Sequence, residues 1–85
     1  MVKTKQQIID DGREADRLLK DTDLRRFLNE IEQDCWLEFR ATETNDSDGR
    51  EAIYMKLRGV ESVRQSLRAM VDNGAIEIKL SLIHI

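Results

Sequence analysis

The polar segment between the two longest amphipathic runs comes nearest to a cation site. Asp46, Asp48 and Gly49 match the third, fifth and sixth positions of a calcium-binding loop of the EF-hand type. The first position would then be Thr44, and the twelfth would be Met55, where that loop requires a bidentate glutamate. A capped helix start explains Asp48 and Gly49 better. We therefore predict no metal site in this segment.

Cys35 is the only cysteine, and a catalytic thiolate would need a nearby base and positively charged surroundings. Its neighbours along the chain, Glu32, Asp34 and Glu38, are instead acidic and do not supply positively charged surroundings. The only histidine, His84, stands at the far end of the sequence. We predict a cysteine buried in the core, and the absence of a disulfide partner is typical of an intracellular protein.

Two groups of carboxylates remain, and neither contains the histidine that carboxylate-bridged metal sites in helix bundles use. The groups are Asp10, Asp11 and Glu14, and Glu30, Glu32 and Asp34. Helical spacing puts Glu30 and Asp34 on an exposed stripe beside the apolar one. The sequence also lacks a Ser/His/Asp set, a glycine-rich phosphate loop and a Cys/His metal pattern. We expect a protein that is not an enzyme and that holds no cofactor.

Aromatic residues are 5% of the chain, and they are the best candidates for a binding surface. Trp, Tyr and Arg dominate interface hot spots because each buries a large area and keeps a polar group. Trp36 stands about 100° round its helix from Cys35, where either the first helix or a partner would cover it. Trp36, Phe39 and Tyr54 are the predicted protein-interaction residues.

The third amphipathic run carries a surplus of positive charge, which gives an alternative. Arg50, Arg58, Arg64 and Arg68 could contact DNA phosphates as a basic stripe. Against this, the net charge of the chain is −3, and no aromatic residues alternate with the arginines to stack on single-stranded bases. Nucleic-acid binding is therefore the alternative and a protein partner is the favoured one.

The elements that position these residues are predicted to be helices. Charged residues are 36% of the chain, and there are four glycines and no proline. Apolar residues recur at helical spacing on both sides of the polar loop, as in Leu24, Leu28, Ile31, Cys35 and Phe39, and then Ile53, Leu57, Val60, Val63 and Leu67. Two long helices joined by a short loop predict an antiparallel hairpin, with a shorter N-terminal helix packed on it.

Capping patterns define the predicted helix ends. Thr4 with Gln7 and Asp48 with Glu51 have the spacing of capping boxes. Asp21 or Thr22 can cap the second helix, and the glycine of Asn73-Gly74 is typical of a helix stop. These signals predict a helical domain over residues 1–74, with helices at about 5–20, 22–41 and 49–73.

Residues 75–85 follow a different pattern. Ile76, Ile78, Leu80 and Leu82 alternate with polar residues, and a period of two is typical of a strand. We expect an irregular or short-strand tail. The last six residues read Leu-Ser-Leu-Ile-His-Ile and resemble the translation of sequencing-adapter read-through. We expect those six residues not to be native.

Four short stretches fall within residues 8–74: Asp-Gly-Arg-Glu-Ala at 11–15, Cys-Trp-Leu-Glu at 35–38, Asp-Gly-Arg-Glu-Ala at 48–52 and Leu-Arg-Ala-Met-Val-Asp-Asn-Gly at 67–74. In these stretches the chain resembles a loose group of small helical proteins of tailed bacteriophages, encoded near head and DNA-packaging genes. The resemblance implies a phage or prophage context and an oligomeric protein without catalytic residues.

Together these patterns predict an all-α phage accessory or structural protein that oligomerises, or docks to a head, portal or packaging component. The alternative is a nucleic-acid-binding packaging factor resembling a small terminase subunit, acting through the four arginines named above. No run approaches the roughly 20 apolar residues that a bilayer requires. We therefore expect no membrane contact, and a place in the host cytoplasm or on the virion.

Overall fold

The computed structural model describes residues 2–83, which form three α-helices and no strand. The helices are α1 (Lys5–Lys20), α2 (Thr22–Ala41) and α3 (Ser47–Ile83). The predicted all-α class is confirmed. The third helix, with 37 residues, is longer than the sequence pattern predicts.

The start of α1 is fixed by a capping box. The Thr4 hydroxyl accepts a hydrogen bond from the Gln7 backbone N–H at 3.1 Å, and the Gln7 side-chain carbonyl accepts one from the Thr4 N–H at 2.8 Å. This predicted box is confirmed. At the other end Asp21 is extended, with φ −67° and ψ 122°, so the chain leaves α1 and enters α2 at the next residue.

The start of α3 differs from the prediction. The Asp46 carboxylate accepts a hydrogen bond from the Gly49 N–H at 3.0 Å, and the Asp46 carbonyl accepts one from the Arg50 N–H at 3.1 Å. Asp46 is therefore the cap, and the helix begins at Ser47. The predicted start near Gly49 with an Asp48–Glu51 box is wrong, because Asp48 already lies inside the first turn.

The end of α3 also differs, because the helix continues through Gly74 to Ile83. No glycine in the described part of the chain has a positive φ, so Gly74 does not stop the helix. The predicted irregular or short-strand tail is wrong over residues 75–83; His84 and Ile85 lie outside the described residues. On a helix, residues two apart point about 200° apart, so the alternating pattern divides between two faces.

Contacts between Cα atoms divide the chain into two units. Unit 1 contains α1 and residues 64–83 of α3. Unit 2 is Thr22–Val63, which contains α2, the loop and the first part of α3.

Two glycines let the backbones of α1 and α3 approach closely in unit 1. A Cβ atom on Gly12 would lie 2.8 Å from the Met70 carbonyl oxygen and 3.0 Å from the Gly74 Cα. A Cβ atom on Gly74 would lie 3.1 Å from the Gly12 Cα and 3.2 Å from the Ile8 carbonyl oxygen. Gly74 therefore serves helix packing instead of helix termination.

Unit 2 is organised around two buried side chains, Cys35 at 3% exposure and Ile53 at 7%. The predicted core cysteine is therefore confirmed. Further contacts join α2 to α3 in this unit: the Lys56 ammonium lies 3.6 Å from the Glu38 carboxylate, and the Arg50 guanidinium lies over the Phe39 ring.

Candidate protein-interaction site

Few hydrophobic side chains are buried, and many large ones are exposed. Among residues 2–83 the buried hydrophobic residues are Ala15, Cys35 and Ile53. The exposed large hydrophobic residues include Phe27, Ile31, Trp36, Leu37, Tyr54, Met55, Val63, Ile76, Leu80, Leu82 and Ile83. A large exposed apolar area on a small domain marks a binding surface or an aggregation liability.

The most structured part of this exposed surface is formed by Trp36, Phe39 and Arg50, which we call the aromatic–arginine cluster. The Trp36 and Phe39 rings meet edge to face, with centroids 5.9 Å apart and an interplanar angle of 78°. Their spacing of three residues on α2 puts them on neighbouring turns. Arg50 reaches this pair from α3. Its guanidinium carbon lies 4.4 Å from the centroid of the Phe39 ring on α2.

Arg50 is fixed to this cluster by stacking. Its Nε atom is buried and has no hydrogen-bond partner among the described residues. A guanidinium over an aromatic face contributes about 0.5–1 kcal/mol when exposed and about 2 kcal/mol when desolvated. Arg50 therefore closes one face of Phe39, while the Trp36 indole remains 54% exposed.

Tyr54, the third predicted anchor, lies on α3 and makes no ring contact with Trp36 or Phe39 among the described residues. It stands four residues after Arg50, one helical turn away, and its side chain is 53% exposed. The next residue towards the N-terminus, Ile53, is buried, so Tyr54 is held at the edge of a packed position. Trp, Tyr and Arg together have the composition of a protein-binding hot spot.

On α2 the cluster continues into a shallow depression of about 280 Å³. Gln33, Trp36, Leu37 and Arg40 line it, and Leu37 is 62% exposed. Of the two expectations for Trp36, a covered indole is not observed. Its exposed face and the depression beside it offer a partner an apolar contact bordered by polar groups.

The four arginines of the nucleic-acid alternative fall into both units. Arg50 and Arg58 belong to unit 2, and Arg64 and Arg68 belong to unit 1. Arg50 is stacked on Phe39, and Arg64 is half-buried. Arg64 and Arg68 already take part in interactions within the chain. Of the four arginines, Arg58 and Arg68 are exposed residues.

In the loop that comes nearest to a calcium site, the Asp46 carboxylate caps α3. It accepts a hydrogen bond from the Gly49 N–H. Across residues 2–83, no three His, Cys, Asp or Glu side chains are grouped as metal ligands would be. No described helix combines the length and the apolar character needed to cross a membrane.

The outer surface of α1 is charged. Lys20 pairs with Asp16 at 2.9 Å, and Arg17 pairs with Glu14. The hydrogen bond from Arg17 lowers the pKa of the Glu14 carboxyl below its usual value, and the same bond raises the pKa of Arg17. Exposed pairs of this kind contribute little to stability. This face of α1 is therefore a solvated surface and a poor candidate for a docking site.

The part of the site that sequence patterns miss is the placement of Arg50 on Phe39. The two residues lie on different helices, and only the register of the α2–α3 contact brings them together.

Comparisons with protein-family models, with curated proteins and with solved structures find no match to this chain.

Proposed function

We propose that this chain is a small non-enzymatic phage accessory or structural protein that acts through helix-mediated oligomerisation, or through docking to a head, portal or packaging component. The observation that supports the proposal is the half-exposed aromatic–arginine cluster on a protein with few buried side chains. The phage context rests on the sequence resemblance, and we place the protein in the host cytoplasm or on the virion.

In this proposal α2 and the first part of α3 form an antiparallel hairpin, and one edge of it is the association surface. Two contacts support the hairpin, Phe39 with Arg50 near the loop and Glu38 with Lys56 further along α3. Trp36, Phe39 and Tyr54 are the anchor residues. Their side chains would pack against a helix of the partner.

The area available is sufficient for a measurable effect. A tryptophan buries about 150–250 Å², so covering the exposed half of Trp36 would remove on the order of 100 Å² from water. At about 25 cal/mol per Å² this contributes about 2–3 kcal/mol. The loss of this single side chain should therefore weaken association by one to two orders of magnitude, or roughly 30- to 150-fold.

The test is light scattering coupled to size exclusion on wild type, Trp36→Ala and Phe27→Ala. Phe27 is a matched control, because it is 50% exposed on the same helix and has its own arginine, Arg26, 4.5 Å from the ring. We expect Trp36→Ala to lower the assembled fraction and Phe27→Ala to leave it unchanged. Equal losses in both variants would show non-specific hydrophobic association and contradict the proposal.

The rival function is nucleic-acid binding by a packaging factor. Salt-dependent retention on DNA, lost when Arg64 and Arg68 become alanine, would favour it. The stacking of Arg50 on Phe39 weighs against it, because that guanidinium is engaged with an aromatic ring of the same chain.

A further inference from the structure

The outer surface of α3 in unit 2 carries two adjacent large side chains that the fold does not cover. Tyr54 is 53% exposed and Met55 is 61% exposed, while the preceding Ile53 is 7% exposed. Ile53 therefore packs into the unit, and the next two side chains point away from it. An exposed Tyr–Met pair on a regular helix offers a contact to another helix.

Charges flank this pair with a two-fold symmetric spacing. Glu51 stands three residues before Tyr54, and Arg58 stands three residues after Met55. Both side chains are exposed, and neither has an ion-pair partner among residues 2–83. They share one face of α3 but are about 10 Å apart along its axis, too far to pair with each other.

We infer that a second copy of this chain packs antiparallel on this face, about a two-fold axis that passes between Tyr54 and Met55. In this arrangement Glu51 of each copy meets Arg58 of the other, which gives two equivalent ion pairs. The Tyr54 and Met55 side chains of both copies come together at the centre. The inference rests on the proposed function, because it names the partner that covers the Tyr54 anchor.

The ends of the face fit the same axis. Ser47 stands seven residues before Tyr54, and Ser62 stands seven residues after Met55. Both are exposed and small, and the adjacent Asp48 and Glu61 lie seven residues from Met55 and Tyr54 at the edges of the same face. The contact would extend over about four turns of α3, all within unit 2.

The order of charges favours a second copy over other occupants. A nucleic acid requires an excess of positive side chains, whereas this part of α3 carries Asp48, Glu51 and Glu61 beside Arg58. A helix of unrelated sequence would need Arg and Glu at matching positions by chance. An identical antiparallel helix supplies both because the order of charges is reversed by the two-fold axis.

The test is a charge-swap cycle on the full chain, with the dimer dissociation constant measured by sedimentation equilibrium. Glu51→Arg and Arg58→Glu each convert two attractive contacts into two repulsive ones, so each should weaken the dimer about tenfold or more. The double variant restores opposite charges across the interface and should return to within about threefold of wild type. Asp72→Arg, on an exposed acid of α3 in unit 1, is the matched control and should change nothing.

Recovery in the double variant would establish the second copy on this face, because Glu51 and Arg58 are about 10 Å apart along α3 and do not compensate each other within one chain. Wild-type association in both single variants, or a dissociated double variant, would overturn the inference, as would a chain that is monomeric at every concentration. A dimer that is weakened by Trp36→Ala but unchanged by the charge swaps would overturn this inference alone and leave the proposed function standing. A complete charge-swap cycle with no effect of Trp36→Ala would support the dimer and contradict the Trp36 anchor.

Discussion

Two glycines of α3 illustrate how the same residue type has different consequences at different positions. Gly74 faces the backbone of α1, where an added Cβ would come within 3.2 Å of the Ile8 carbonyl oxygen. Gly59 lies in the same helix, and nothing lies within 4 Å of the Cβ it would gain. Glycine in a helix interior costs about 1 kcal/mol relative to alanine. At Gly74 close packing offsets this cost, and at Gly59 the described structure offers no such compensation.

We therefore predict opposite effects for the two alanine substitutions. Gly74→Ala should lower the free energy of unfolding by about 1–3 kcal/mol, because α1 must move away to accept the methyl group. Gly59→Ala should raise it by up to about 1 kcal/mol through helix propensity alone. Thermal unfolding followed by circular dichroism measures both, and equal stabilisation by the two variants would show that α1 and α3 do not approach at Gly74.

At the scale of the elements, the start of α3 depends on which aspartate caps it. Asp46→Ala removes the acceptor of the Gly49 N–H and should lower the free energy of unfolding by about 1 kcal/mol. Asp48→Ala removes only a charge near the helix N-terminus, worth about 0.3–1 kcal/mol and screened by salt. Chemical denaturation at high salt should therefore show a clear loss for Asp46→Ala and little for Asp48→Ala. The reverse order would place the helix start at Gly49.

Two isoleucines test whether the end of α3 is helical, because in a strand both side chains would lie on the same face. Ile78 is half-buried and lines a shallow depression together with Ile9 and Gly12, while Ile76 is 54% exposed. We predict a loss of about 1–2 kcal/mol for Ile78→Ala, less than the full cost of a buried isoleucine, and of about 0.5 kcal/mol or less for Ile76→Ala. Similar losses measured by urea unfolding would contradict a helical tail, because in a strand both side chains share one face.

Local signals predict some of these elements and fail at others for a physical reason. The Thr4–Gln7 box acts through neighbouring atoms, so the sequence alone identifies it. The stretch Asp-Gly-Arg-Glu-Ala occurs twice, however, with two outcomes: at 11–15 it lies inside α1 with Gly12 against α3, and at 48–52 it forms the first turns of α3. What differs is the contact with a distant segment, which a local pattern does not contain.

The same distinction applies to the candidate site. Trp36 and Phe39 are three residues apart on one helix, so their contact follows from helical spacing. The stacking of Arg50 on Phe39 depends on the register between α2 and α3, which the sequence does not give. The exposure of Trp36 depends on how the rest of the chain packs around it. The sequence therefore predicts the candidate anchors but not their arrangement.

For the molecule as a whole, the proposed association should add to the stability of the fold. With Ala15, Cys35 and Ile53 as its buried hydrophobic residues, the described chain has a small core. In chains only slightly shorter, below about 70–80 residues, a single core rarely supplies more than about 3–5 kcal/mol. A partner that covers the exposed side chains adds to this through mass action, so the melting temperature should rise with protein concentration.

The most direct measurement uses the only tryptophan of the chain as the reporter of the aromatic–arginine cluster. Trp36 emission and its quenching by iodide would be recorded over a concentration series, with the molar mass of each sample determined by light scattering. If the proposed association is right, we expect a solvent-exposed indole in the dilute monomer, and a blue shift with reduced quenching as the mass increases. A mass that rises while Trp36 remains exposed, or a monomer with Trp36 already buried, would contradict it.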